Sequence, residues 1–268
     1  MKKLTLGFST VFKNYDGLYK LIRELKSHIV NDGLSQFVDI LVVVQFADHE
    51  KSFSEEGSQV IFTTESGLSK SRNRVIEHCE SEYFWILDDD VSPTVQDIKK
   101  ILTSIEDKPT DICIGQIRCS DRVGDYKDYF KSRSGKLGLL RVSSIEIIVK
   151  KEFVKSQRIV FNERLGLGTP NPTGEENCFL LDAYHAGATF KFINDPIISH
   201  PCFDEARIVR TQKNLSGIMV AKGYIAREVS GISGFLLMLY WQVKFFAHYK
   251  RLTVLTSIPK GYFFRGGL

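Results

Sequence analysis

Three acids in a row, Asp88-Asp89-Asp90, close the apolar and aromatic run Tyr83-Phe84-Trp85-Ile86-Leu87. A run with so few polar breaks reads as a buried strand. Three carboxylates at its end place like charges at one edge of a sheet, a costly arrangement unless a cation or cationic ligand offsets it. Ligands also bind at the carboxyl ends of strands in open α/β sheets. A helix cap needs one Asp, not three. If the chain turns there, Asp88 and Asp90 can face one ligand, and Mg2+ or Mn2+ commonly takes one or two carboxylates plus substrate phosphate oxygens. The competing reading is a solvated acidic loop capping a helix near Ser92-Pro93.

Three further groups carry chemistry of a compatible kind. Gly67-Leu68-Ser69-Lys70-Ser71-Arg72-Asn73 leads into a helical pattern, so it offers backbone donors and a positive helix end to phosphate. Arg72 and Lys70 suit phosphate, and Asn73 suits a base or a loop. A plain Ser69 N-cap is the alternative. Gly174-Glu175-Glu176-Asn177 opens another helix; one acid there could take a proton from an attacking hydroxyl while its neighbour raises its pKa, or both could simply complement the helix dipole. His200 follows a short strand, where an imidazole serves as a third metal ligand, a phosphate contact or a structural side chain. Cys202 is close by, but its soft sulfur matches a hard metal poorly.

The elements that must position these groups alternate. Strand patterns run over Leu4–Thr10, Val38–Phe46, Gln59–Thr63, Glu82–Leu87 and Asp111–Ile117; helical patterns run over Gly17–Val30, Ser69–Cys79 and Val95–Ile105. This alternation predicts an α/β fold, a mostly parallel central sheet flanked by helices. Beyond Asp121 the pattern loosens: Asp121–Gly138 reads as an irregular excursion, Val142–Val149 as a strand, and Lys151–Ser156 as a short helix. Phe161–Glu176, dense in Gly, Pro, Thr and Asn, reads as a long loop. Asn177–Ala186 then reads as a helix, with Thr189–Ile193 and Pro196–Ser199 as two short strands.

Composition sets the outer bounds. The chain has 268 residues, 43% apolar and 25% charged, as a globular protein of one large domain with an appendage would have. A net charge of +4 is too mild to imply nucleic acid. Five cysteines (Cys79, Cys113, Cys119, Cys178, Cys202) show no paired close spacing, which points to buried thiols in a reducing compartment. Met1-Lys2-Lys3-Leu4 runs directly into a strand without the apolar core of a secretory signal, so the expected location is the cytoplasm.

In order and spacing these segments resemble the inverting glycosyltransferases of family 2, which have the GT-A (Rossmann-like) fold. The resemblance rests on Phe8-Ser9-Thr10, the Gly67 to Asn73 loop and helix, Asp88-Asp89-Asp90, Gly166-Leu167-Gly168, Gly174-Glu175-Glu176-Asn177 and His200, and spans roughly residues 4–205. It implies a nucleotide-binding and catalytic domain over 1–205 and a C-terminal helical segment over 206–268. It also implies a nucleotide-sugar donor, with uridine the favoured base, held by Thr10, Gly67, Arg72, Asn73, Asp88 and Asp89. A Mn2+ or Mg2+ ion at a D-x-D motif would take Asp90 directly, with Asp88 near ribose or metal and His200 as a further ligand. Family members usually carry Glu-Asp where this chain has Glu175-Glu176, and the second acid is the base; the role passes to Glu176, with Glu175 as the alternate. The resemblance further implies a hexosyl transfer to a saccharide acceptor in bacterial surface-polysaccharide biosynthesis.

Two features widen that reading. Ile232–Trp241 is almost wholly apolar but far short of the roughly 20 residues that span a bilayer. With Lys244, Lys250 and Arg251 nearby it suits an interfacial helix at the inner face of the cell membrane, and equally a core helix. The interfacial version goes with an undecaprenyl-linked acceptor. Rival functions are a sugar-phosphate nucleotidyltransferase, which lacks its Gly-rich basic loop after the first strand here, and a non-catalytic carbohydrate-binding subunit on the same fold.

Overall fold

Leu4, Leu6 and Phe8 alternate with Thr5, Gly7 and Ser9 along β1 (Leu4–Val11), and all six side-chain positions are buried. Burial on both faces is what a central parallel strand requires. The computed structural model describes residues 2–55, 57–124, 126–132, 135–202 and 212–263. Within them β1 lies between β2 (Val38–Gln45) and β5 (Tyr83–Asp88), parallel to both. The remaining strands are β3 (Lys51–Glu55), β4 (Ser58–Phe62), β6 (Ile112–Cys119), β7 (Ile147–Lys150) and β8 (Phe190–His200). They build one eight-stranded sheet in the order β3-β4-β2-β1-β5-β7-β6-β8, in which only β3 and β7 run against the rest. The expected mostly parallel α/β sheet is the one observed.

Helices cover both faces. On one side α1 (Tyr15–Asn31) and α3 (Val95–Asp107) bury Leu18, Ile22, Leu25 and Ile29 and Ile98, Ile101 and Ile105, at helical spacing, against Leu6, Phe8, Trp85 and Leu87. On the other side α2 (Leu68–His78), α6 (Lys151–Ser156) and α7 (Glu175–His185) pack Val75, Val154, Phe179 and Ala183 on Phe84 and Ile86. Two short helices, α4 (Tyr129–Ser132) and α5 (Gly135–Leu139), lie between β6 and β7. Three helices end the described chain: α8 (Leu215–Val229), α9 (Gly231–Tyr249) and α10 (Leu252–Phe263). They share a third core, in which Leu165, Cys178 and Leu181 meet Met219, Ile225, Trp241 and Ile258. The boundary expected between 205 and 206 lies outside the described residues.

Several elements depart from expectation. The strand expected from Val142 begins only at Ile147, because Ser143 to Glu146 form a tight turn: Glu146 Oε2 accepts from the Ser143 N–H (2.6 Å) and the Glu146 N–H donates to Ser143 O (3.1 Å). Instead of two strands split at Asn194-Asp195, β8 is continuous. Ile114 pairs with Phe192 and Gln116 with Pro196, so the extra residues are absorbed as bulges. The expected irregular stretch over 121–138 holds α4 and the start of α5.

The cysteines also need correction. Cys79, Cys113 and Cys178 are buried free thiols, as expected, but Cys119 and Cys202 form a disulfide across 83 residues. Parallel pairing of Cys119 with His200 brings those strand ends together, a proximity that sequence spacing does not reveal.

Leu181 is fully buried where α7 meets the C-terminal helices. Leu181→Ala should lower the unfolding free energy by roughly 2–5 kcal/mol, read from urea denaturation followed by circular dichroism.

Candidate active site

Register carries the acids to their place. β1 and β5 pair with Ser9 opposite Asp88, so both strands end together and Thr10 meets the turn that follows β5. There the Thr10 hydroxyl donates to Asp89 Oδ2 (2.5 Å) and Asn14 Nδ2 donates to the same oxygen (3.0 Å). Asp89 is thereby tied to the end of β1. Asp88 turns the opposite way, toward α2.

Arg72, on α2, is 2% exposed. Its Nη2 donates to Asp88 Oδ1 (2.9 Å) and its Nη1 to Glu175 Oε1 (2.8 Å). Burial alone would lower the guanidinium pKa, but the charges of Asp88, Glu175 and Glu176 more than reverse that and raise it. Arg72 also lies over the Phe161 ring, its Cζ 5.7 Å from the centroid, and Phe161 stacks on Phe179 at 4.3 Å. The Arg72 side chain, expected among nucleotide phosphates, is therefore held between two carboxylates. Asn73 holds a loop: Nδ2 donates to Phe161 O (3.0 Å) and Glu163 Oε1 (3.1 Å), and Oδ1 accepts from the Phe161 N–H (2.7 Å). The Gly67 N–H is taken by Gln45 Oε1 at 2.8 Å.

Glu175 is delivered by a backbone constraint. Gly174 precedes α7 with φ +93°, a left-handed conformation that favours glycine, and a Cβ there would lie 2.7 Å from Ile225 Cδ1 on α8. The chain therefore turns sharply, and Glu175 enters the interior against Arg72. Glu176, one residue on and half-buried, does not share that bond. Loss of solvent, then the neighbouring Glu175 charge, push the Glu176 carboxyl up to about 8, with Arg72 pulling the other way. The structure thus separates two adjacent acids: Glu175 is a buried ion-pair partner, and Glu176 is a carboxyl that changes protonation near neutral pH.

Asp90 is the exposed acid of the three, and His200 Nε2, at the end of β8, lies 4.0 Å from its Oδ2. His200 Nδ1 is 2.7 Å from Pro201 O. A carbonyl only accepts, so Nδ1 donates to it, which leaves Nε2 on the side of Asp90. Although Asp90 is exposed, partial loss of solvent and then the charges of Asp88 and Asp89 raise its pKa, against the opposing pull of His200. An exposed carboxylate beside an imidazole nitrogen fits a divalent cation that draws its other oxygens from diphosphate and water. Asp88 fits less well, since Arg72 holds Oδ1 and Ser144 Oγ lies 3.4 Å from Oδ2. Cys119, Asp121 and Cys202 also cluster with ligand spacing, but both sulfurs are in the disulfide.

Further residues that carry no sequence signal stand beside these groups. Lys127 pairs with the fully buried Glu146 and lies close enough for its charge to act on Glu176. Burial lowers the Lys127 pKa and raises that of Glu146, each partner opposing the shift of the other. Asn14, Tyr126 (its ring 5.8 Å from that of His200) and Ser144 join them. No motif marks these five in the sequence.

Comparison with known proteins bears on the family and the fold. The profile described as glycosyl transferase family 2 matches residues 23–157, which include Arg72 and the three aspartates and stop before Glu175 and His200. No curated protein sequence matches the chain. Among solved structures, S. aureus TarS 1-349 in complex with UDP-GlcNAc aligns with TM-score 0.61 at 14% identity, over 98% of this chain and 90% of that one. TarS 1-349 in complex with UDP gives 0.62 at 15%, over 98% and 90%. Glucosyl-3-phosphoglycerate synthase from Mycobacterium tuberculosis, in complex with Mn2+, UDP and phosphoglyceric acid, gives 0.51 at 12%, over 82% and 78%. At these identities the likeness establishes the fold.

Glu176 binds a proton more tightly in the folded chain than in the unfolded one, so its contribution to stability falls as pH rises from its ordinary 4.5 to about 8. Glu176→Gln should therefore gain stability relative to wild type across that window and level off above it, in urea titrations at stepped pH.

Proposed function

Because the chain belongs to glycosyl transferase family 2, we propose that this glycosyltransferase moves a hexosyl group, with inversion, from a UDP-sugar to a saccharide acceptor. The observation that carries the reading is the Arg72 bridge from Asp88 to Glu175, which brings the start of α7, with Glu176 outside the ion pair, to the edge of the sheet where the three aspartates lie. The first domain, residues 1–205, holds this chemistry; the second, 206–268, is the helical appendage. Ligands of the fold neighbours, UDP and UDP-GlcNAc in TarS and Mn2+ with UDP in the M. tuberculosis synthase, support a uridine nucleotide and a divalent ion.

Glu176 takes the proton of an acceptor hydroxyl, whose oxygen bonds to the anomeric carbon from the face opposite the diphosphate. The bond from that carbon to the phosphate oxygen breaks, its electrons leave with the nucleoside diphosphate, and an α-linked donor yields a β-linked product. Glu175 and Arg72 position Glu176; they do not exchange protons with substrate. Asp90 and His200 would hold Mn2+ or Mg2+, which offsets the negative charge that develops on the leaving diphosphate. Thr10, Asp89 and Asp88 form the wall on the nucleotide side, with Gly67 and Asn73 supporting it through Gln45 and the 161–163 loop. The acceptor we assign is lipid-linked, of undecaprenyl type, used in surface-polysaccharide assembly at the cytoplasmic face of the membrane.

Glu176→Gln should cut kcat by about 10²- to 10⁴-fold while donor affinity, read by calorimetry, stays within twofold of wild type (~0.4 kcal/mol). Transfer is measured as metal-dependent release of UDP in the presence of acceptor; release of pyrophosphate instead, or full turnover by Glu176→Gln, refutes the assignment. Wild-type kcat/KM should rise with pH and level off above about 8, since the base must be unprotonated. Glu175→Gln removes the neighbouring charge that raises Glu176, so its acidic limb should shift to lower pH.

A further inference from the structure

The C-terminal helix α9 is apolar on both sides. Gly234, Met238 and Trp241 face the third core, with Phe245 and Tyr249 half-buried beside them. The opposite side carries Ile232 (80% exposed), Leu236 (57%) and Val243 (72%), flanked by exposed Leu239, Tyr240 and Phe246. Positions 232, 236, 239, 243 and 246 fall at the 3–4 residue spacing that lines one face of a helix. Leu252 and Phe263 add exposed apolar surface on α10. Scattered surface apolar residues need no explanation, but a continuous row of this length does.

The charges around the row identify what covers it. No Asp or Glu follows Glu228 in the sequence, whereas Lys244, Lys250, Arg251, Lys260 and Arg265 do. The Lys244 Nζ lies over the Tyr240 and Phe245 rings at 5.7 and 5.9 Å, so a positive charge stands next to the apolar row. A second copy of this chain would bring one acid-free basic rim against another and meet repulsion. An anionic bilayer complements both the rim and the apolar row. Among the described residues no helix is long and apolar enough to cross a membrane, so α9 would lie in the interface.

We propose that the outward face of α9 docks the protein onto an anionic phospholipid surface, with Ile232, Leu236, Leu239, Val243 and Phe246 among the acyl chains and Lys244 and Arg251 at the headgroups. This deepens the proposed acceptor class by naming the surface where such an acceptor is met, and it stands independently of the base and metal assignments. The test is co-sedimentation of the full chain with vesicles of phosphatidylcholine alone or mixed with phosphatidylglycerol, which reads no catalysis. Wild type should partition onto mixed vesicles more strongly, with the preference weakening as salt is raised. Leu236→Asp combined with Val243→Asp, both solvent-facing, should lower partition about a hundredfold, the loss expected for two large apolar side chains, with an unchanged thermal melt. Lys244→Glu combined with Arg251→Glu should abolish the preference for mixed vesicles. Wild type remaining in the supernatant with both vesicle types overturns the proposal. So does undiminished partition of the Leu236→Asp, Val243→Asp variant, or a wild-type dimer in light scattering that this variant converts to monomer.

Discussion

One buried cation organises the site. Asp88 ends a strand, Glu175 begins a helix 87 positions later, and Arg72 sits on a third element; the guanidinium joins all three at 2.8 and 2.9 Å. A single buried pair adds little net stability, because desolvation offsets most of its attraction. Its consequence is placement. Without a cation there, the buried Glu175 carboxylate would face the half-buried Asp88 carboxylate, with a third one residue away, and the end of β5 would meet the start of α7 through like charges. Arg72 Nε and Glu175 Oε2 have no hydrogen-bond partner among the described residues, so the two arms of the guanidinium carry the connection. The aromatic stack of Phe161 on Phe179 supports its underside and ties it to the long loop ahead of α7.

Given that constraint, five acids of one chemical type acquire different properties from geometry alone. Asp88 and Glu175 are spent on Arg72, and Asp89 on Thr10 and Asn14. Asp90 projects past them toward His200. Glu176 is separated from Glu175 by about 100° of helix rotation, enough to leave it outside the ion pair yet inside its field. Its raised pKa follows from lost solvent and then the Glu175 charge, which the attraction of Arg72 opposes only in part.

The strands, the order of the motifs and the acidic turn were legible in the sequence because each is local. Apolar runs such as Val38 to Phe46 report burial on both faces directly. What escaped notice depended on distant residues meeting. Ser143 and Glu146 bond across a turn and remove the first half of an expected strand. Cys119 reaches Cys202 only because β6 and β8 are neighbours. β3 is a polar edge strand paired on one side, so its sequence carries no run of apolar residues. Lys127 and Glu146 are ordinary charged residues until the fold buries them together. The loop marks Arg72, but its two partners are distant in sequence, so a local reading offers phosphate or solvent and not the ion pair.

The same logic connects the appendage to the chemistry. Gly174 can make its left-handed turn only where α8 leaves it room, and Ile225 of α8 is what any larger residue would strike. On its other side α8 shares a core with Met238 and Trp241 of α9. The helix that shapes the approach to Glu175 and Glu176 is therefore also the helix on which the exposed apolar face of α9 is mounted. A bilayer against that face would be held at a fixed distance from the pocket, through packed side chains and without a flexible linker. An acceptor hydroxyl attached to a lipid would then have to reach Glu176 across a span set by the thickness of α8 and its core. Selection of the acceptor would in this way depend on the length of its saccharide as well as on its identity.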